Sequence, residues 1–172
     1  MTRAILISIR PEWVNKIVTG KKTVEIRKTR PYLETPFKCY MYETQGKSDT
    51  PWIDEDGHMI FRGCGKVVGE FTCNKVTNLF SNSRFWLDDD YVLQTCLSAA
   101  EIRKYANGAN GLYGWHISNL KIYDTPKELS KFSRPFENCI GKTCDEFGCA
   151  LCENGGHIKR PPQSWCYVED LA

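Results

Sequence analysis

Three side chains spanning residues 22 to 27 set the chemical question. Lys22, Glu25 and Arg27 lie in the run Gly20-Lys21-Lys22-Thr23-Val24-Glu25-Ile26-Arg27. Arg27 carries a planar fork of donors that suits a phosphate or a base edge. Lys22 offers a compact cation, with Lys21 beside it. Glu25 stands two residues before Arg27, so in an extended chain the two share a face. There the carboxylate can orient the guanidinium or accept from a base amino group. The same residue types could instead do hydrolysis: Glu25 as general base for a 2′-hydroxyl or a water, with Lys22 and Arg27 stabilising charge on a phosphorane. An ordinary same-face ion pair is the plain alternative.

A second group is Cys139-x4-Cys144-x4-Cys149-x2-Cys152, followed by His157. The stretch from Gly148 to Cys152 looks like half of a zinc knuckle, in which one tight turn aims two sulfurs at one metal. Four thiolates around a tetrahedral Zn2+ make a closed, structural site. A metal there would offset the entropy of ordering a segment with few apolar residues. The first two gaps are longer than the common two-residue spacing, so reduced thiols without metal, or His157 replacing one cysteine, stay open. With nine cysteines, an odd number, a disulfide framework is not expected. Most of the remaining five are expected to be small buried hydrophobes.

The elements that must position these groups are legible in outline. Ile5 to Ile9 is a β-branched run that predicts a buried strand. Pro11 suits the first position of a helix, and Trp13, Val14, Ile17 and Val18 fall on one stripe before Gly20, which can end it. Val24 and Ile26 then alternate with Thr23, Glu25 and Arg27, the period of a strand. Further strands are expected at 37–42, at 66–76 with Gly69 marking a bulge or a close backbone approach, at 112–123 and at 164–168. Ser98-Ala99-Ala100-Glu101 is a capping box for a helix to about Ala106, and Thr125-Pro126-Lys127-Glu128 is a second, predicted to open one or two helical turns through Phe132. Residues 45–63 look like a loop, and residues 79–97 look irregular, aromatic and acidic. Several short strands, three modest helices and no βαβ alternation predict an α+β fold.

Composition narrows the class. In 172 residues, 41% hydrophobic and 26% charged, a core can form and wholesale disorder is excluded. No apolar stretch approaches the ~20 residues of a bilayer crossing. The chain starts directly with a strand-like run rather than the order of a signal peptide, so a cytoplasmic location is expected. Net charge is only +2, yet residues 1–30 hold eight Lys/Arg against two acids, which is how an anion-binding face would look in sequence.

The G-x-K-x-x-E-x-R pattern between a short helix and a strand resembles the ASCH domain, a branch of the PUA-like superfamily. The opening ILISIRPEW, the strand around Gly69-Glu70-Phe71, the Gly114-Trp115-His116-Ile117 strand and the closing RPPQSWCYVE extend the likeness over nearly the whole chain. Residues 133–160 fall outside it and read as a Cys-rich insertion in a single domain spanning 1–172. The resemblance implies a PUA-like pseudo-barrel of short mixed strands with flanking helices. It also implies a cleft beside the first helix that binds RNA or a nucleotide-like ligand through Lys21, Lys22, Glu25 and Arg27. Trp13, Tyr32, Trp86 and Trp115 are candidate stacking platforms, each with a core role as its alternative.

Some relatives in this family resemble amidohydrolases of N4-acetylcytidine, with a Thr nucleophile, a preceding Lys and a later Glu. Here Lys22 and Glu70 would fill the second and third roles, but Glu25 stands at the nucleophile position, where a carboxylate cannot replace a hydroxyl. A ribonuclease reading would use Glu25 or Glu70 as general base, with Lys22 and Arg27 stabilising the phosphorane charge. His116, inside a strand, is expected to be structural. The Cys-rich insertion could alternatively dock a protein partner.

Overall fold

The computed structural model describes residues 3–46, 52–53, 57, 59–60, 63–81, 84–135 and 156–171. Its frame is a six-stranded mixed sheet made of β1 (Arg3–Ile9), β2 (Val24–Arg27), β3 (Phe37–Glu43), β6 (Val67–Asn78), β9 (Tyr113–Lys127) and β10 (Trp165–Glu169). The strand order is β10-β1-β3-β6-β9-β2. Only β1 and β3 run parallel; all other neighbours are antiparallel. Two small hairpins, β4 (Trp52–Ile53) with β5 (Met59–Ile60) and β7 (Phe80–Ser81) with β8 (Arg84–Phe85), stand apart from it.

The sheet curls until its two edges approach each other. At that seam side chains do the joining, not a backbone ladder. From β2, Arg27 Nη2 donates to the Ser8 carbonyl of β1 at 2.6 Å, and Nη1 donates to Ser164 Oγ at 3.3 Å. Just beyond β2, Thr29 Oγ1 accepts from Trp165 Nε1 at 2.9 Å. The product is a curled half-barrel that carries three α-helices among the described residues.

Strand alternation sorts the core. Ile5, Ile7 and Ile9 point inward with Cys39, Met41, Phe71, Cys73 and Trp115, and α1 (Pro11–Val18) adds Val14 and Ile17. The alternate positions Ala4, Leu6, Tyr40 and Tyr42 form an outer cluster under Phe132 and Ile158. Val24 and Ile26 face a third cluster with Ile102 and Ala106 of α3 (Ala99–Ala106). All four residues of β2 are buried because both of its faces are covered. Burying each large apolar side chain of this kind contributes about 1.5–3 kcal/mol.

Local signals explain most boundaries. Pro11 opens α1, and Gly20 at φ +75° turns the chain towards β2. The Ser98–Glu101 capping box forms with both of its reciprocal bonds. At Gly69 the β6 ladder shifts register, and a Cβ there would stand 2.5 Å from the Lys121 carbonyl oxygen, so bulge and close approach coincide.

Three local expectations are corrected. The acidic stretch expected to be irregular contains α2 (Asp89–Thr95): Asp88 caps it by accepting from the Tyr91 N–H, and Asp89 and Asp90 sit in its first turn. Acids there complement the helix dipole. The box expected at Thr125 does not open a helix, because Lys127 still pairs with Val67; only a short 3-10 turn, Leu129–Lys131, follows. The loop expected over 45–63 contains the β4–β5 hairpin. Cys139, Cys144, Cys149 and Cys152 lie outside the described residues. No helix among the described residues is long and apolar enough to cross a membrane.

Candidate nucleic-acid binding cavity

A cavity of about 460 Å³ opens at the seam, between β2, the start of α1 and α3. Its floor is the predicted trio. Glu25 Oε2 lies 3.3 Å from Lys22 Nζ, and Glu25 Oε1 lies 3.0 Å from Arg27 Nη2. All three side chains are nearly inaccessible. Strand periodicity puts Glu25 and Arg27 on one face, and the turn after Gly20 brings Lys22 under them. Lys22 Nζ also donates to the Thr95 carbonyl at 2.7 Å, at the C-terminal end of α2. A cation is well placed there, where helix carbonyls lack partners.

The trio carries one net positive charge and is strongly internally satisfied. Both Glu25 oxygens hold a cation, and Arg27 also holds Ser8 and Ser164. One donor is left over: Arg27 Nε is buried and has no hydrogen-bond partner among the described residues. Such orphans are rare in folded proteins.

Above the floor stand two aromatics. Trp13 of α1 has Lys16 Nζ 4.8 Å and Lys22 Nζ 5.3 Å from its ring centroid. Tyr105 of α3 lines the opposite side, with Lys28 Nζ at 5.3 Å from its ring centroid. Burial raises the Tyr105 hydroxyl pKa, with Arg27 pulling it down and Glu25 up, so the group stays a protonated donor. Arg10 supplies a solvent-facing cation at the rim, and Gln163 and Ser164 close the side next to β10. The chemistry available is therefore stacking, a shielded charged floor, and a rim that carries the Arg10 cation and the Glu101 carboxylate.

Of the sequence-predicted site residues, Lys22, Glu25 and Arg27 converge as expected. Lys22 is buried at the floor. Lys21 is exposed and does not line the cavity. Glu70 is not brought to the site either: it pairs across the ladder with Tyr40, on the outer face, and accepts from Tyr123 Oη. The Lys22–Glu70 pairing that an amidohydrolase would need is therefore not assembled. Trp115 is a core residue at 0% exposure, and Trp86 and Tyr32 are exposed away from the cavity.

His116 bonds Thr77 Oγ1 at 2.9 Å, a structural role. Sequence reasoning missed Tyr105, Gln163 and Ser164. For Tyr105 a signal existed, since it lies four residues after Glu101 on the face that the capping box defines. Among the described residues no group of three or more His, Cys, Asp or Glu is placed to hold a metal.

Residues 7–83 match the family model of the ASCH domain. The likeness to the ASCH domain thus takes in 77 of the 172 residues. ASCH from Zymomonas mobilis superposes with a TM-score of 0.59 at 19% identity, covering 97% of this chain and 88% of that one. Two single-substitution variants of that protein give TM-scores of 0.60 and 0.59 at 20% and 18% identity. Each covers 97% of this chain, and 89% and 91% of the respective variant. At such identity the likeness establishes the fold, a PUA-like α+β half-barrel. No curated protein matches the sequence. The matched region of the ASCH domain contains the whole Lys22–Glu25–Arg27 floor, while Tyr105 and Ser164 lie beyond it.

Proposed function

We propose that this protein binds RNA by admitting one nucleotide into the seam cavity. The observation that carries the reading is the convergence of Lys22, Glu25 and Arg27 beneath two aromatic side chains, in a cavity of about 460 Å³. That volume falls in the ordinary range for small-ligand pockets. PUA-like folds of this class are often linked to RNA binding, which agrees with the chemistry. In this reading a base stacks against Trp13 or Tyr105, and Gln163, Ser164 and the orphaned Arg27 Nε meet its polar edge. Arg10 and Lys16 face the phosphates. Binding without turnover is favoured over hydrolysis because Glu25, the carboxylate at the floor, already has a cation on each oxygen.

The test is fluorescence anisotropy with labelled single-stranded oligoribonucleotides. Trp13→Ala should weaken binding by about 5- to 150-fold, the equivalent of 1–3 kcal/mol for a lost stacking contact. Arg10→Glu should weaken it and flatten its salt dependence. Unchanged binding by both variants, with melting curves confirming that they fold, refutes the assignment.

We propose in addition that Cys139, Cys144, Cys149 and Cys152 hold a structural Zn2+, on the strength of their spacing and thiolate chemistry.

A further inference from the structure

From the cavity, a continuous line of contacts leads away along the barrel seam. Tyr105 lines the cavity and lies under Lys28, the first residue after β2. Thr29 follows and accepts from Trp165. Arg30 is exposed, Pro31 is buried, and Tyr32 is exposed again. The backbone N–H of Tyr32 donates to Tyr167 Oη at 2.7 Å, and the Arg3 guanidinium sits 5.9 Å from the centre of that same Tyr167 ring. Segment 28–32 is thus pinned at Thr29, Pro31 and the Tyr32 amide, while Lys28, Arg30 and Tyr32 turn outward.

The Tyr32 ring is 97% exposed. An aromatic ring held on an anchored backbone, wholly in water and two residues from the exposed Arg30, has the attributes of a stacking platform. We propose that this seam is a track for single-stranded nucleic acid. One nucleotide enters the cavity, the phosphates of its neighbours pass Lys28 and Arg30, and a further base stacks on Tyr32. This deepens the RNA-binding reading and rests on it: the ligand becomes an extended strand and not a free nucleotide. Five residue steps lead from Arg27 to Tyr32, a contour of at most about 18 Å, within the span of a short oligonucleotide.

Local charge agrees in sign. Lys28, Arg30 and Arg3 outnumber the acids beside them, Glu34 in the same loop and Glu169, which pairs with Arg3 across β1 and β10.

The experiment compares a labelled RNA of about eight nucleotides, a length inside the range of single-strand binding sites, with the four nucleoside 5′-monophosphates as separate ligands. Tyr32→Ala should weaken the oligonucleotide by about 5- to 150-fold and leave mononucleotide affinity unchanged. Arg30→Ala should lower the slope of log K against log salt by about 0.7, the share of one phosphate contact on a single strand. A DNA strand of the same length that loses affinity equally supports the track, because stacking needs no 2′-hydroxyl. If Tyr32→Ala and Arg30→Ala bind the oligonucleotide as the parent does while Trp13→Ala is weakened, the track is wrong and the cavity reading stands. If the folded parent binds neither oligonucleotide nor mononucleotide, both are wrong, and Tyr32 becomes a candidate contact for a protein partner.

Discussion

Replacing Glu25 by Gln keeps the shape of the cavity floor and removes one charge, which makes it a sharp probe of how the trio is held. Glu25 is the shared counter-ion of Lys22 at 3.3 Å and Arg27 at 3.0 Å. Removing one partner of a buried pair costs about 3–5 kcal/mol, because the survivor stays buried and uncompensated. Here two cations survive, within roughly 7 Å of each other, and their repulsion at an effective dielectric near 20 adds about 2 kcal/mol. Part of this is relieved by the Thr95 and Ser8 carbonyls, which Lys22 and Arg27 keep.

The expected net loss for Glu25→Gln is about 4 kcal/mol, which for a chain of this length lowers Tm by roughly 8–16 °C. Adding Lys22→Met should then restore about 2 kcal/mol by removing the repulsion, so the double variant is more stable than the single one. Urea unfolding followed by tryptophan fluorescence reads this directly, since Trp115 stands opposite Glu25 in the β2–β9 ladder. A Glu25→Gln protein within about 1 kcal/mol of the parent refutes the reasoning. So does a double variant weaker than the single one.

Two further outcomes are expected. The pKa of His116 is lowered, first by burial and second by Lys75, with Thr77 and Tyr91 its hydrogen-bonding neighbours. The folded protein therefore binds fewer protons at this site than the unfolded chain. The stability this confers is present above the unfolded value of about 6.5 and is lost as pH falls through the folded value. Urea midpoints of the parent should fall more steeply than those of His116→Gln between about pH 7 and pH 5, and parallel curves contradict the assignment. Metal analysis of purified protein should find about one zinc per chain, lost when Cys149 and Cys152 are both changed to Ser; a folded, zinc-free parent contradicts the four-thiolate site.

Much of the architecture was written in local chemistry. Pro11 and Gly20 bracket α1, Ser98 and Glu101 start α3, and the Val24–Arg27 alternation separates the helix-facing from the cavity-facing side chains of β2. The floor of the site was legible for the same reason: its three residues are near neighbours in sequence, and one turn plus one strand suffices to gather them. What was not legible depends on distant pairing. Thr125 to Glu128 has a good helix-starting signature, but Val67 claims Lys127 for the ladder. Asp88 to Asp90 looked like a charge cluster because the helix it caps has few core-facing positions, with Thr95 buried at its end. Glu70 lies on a strand of the right kind, yet which of two faces it joins was fixed by the register of β3 against β6. Gln163 and Ser164 reach the cavity only because β10 is drawn alongside β1 from the far end of the chain.

The way the half-barrel is fastened has a bearing on how ligands can be found. The guanidinium that ties β2 to β1 is also part of the cavity floor, so tightening the one tightens the other. A guest that offers an acceptor to Arg27 Nε supplies a bond which that group otherwise goes without. Occupancy then registers as resistance to unfolding, about 2.7 kcal/mol when the guest is present at a hundred times its Kd. Thermal-shift screening of nucleotide collections thus reads this cavity through the clasp that holds the strands together.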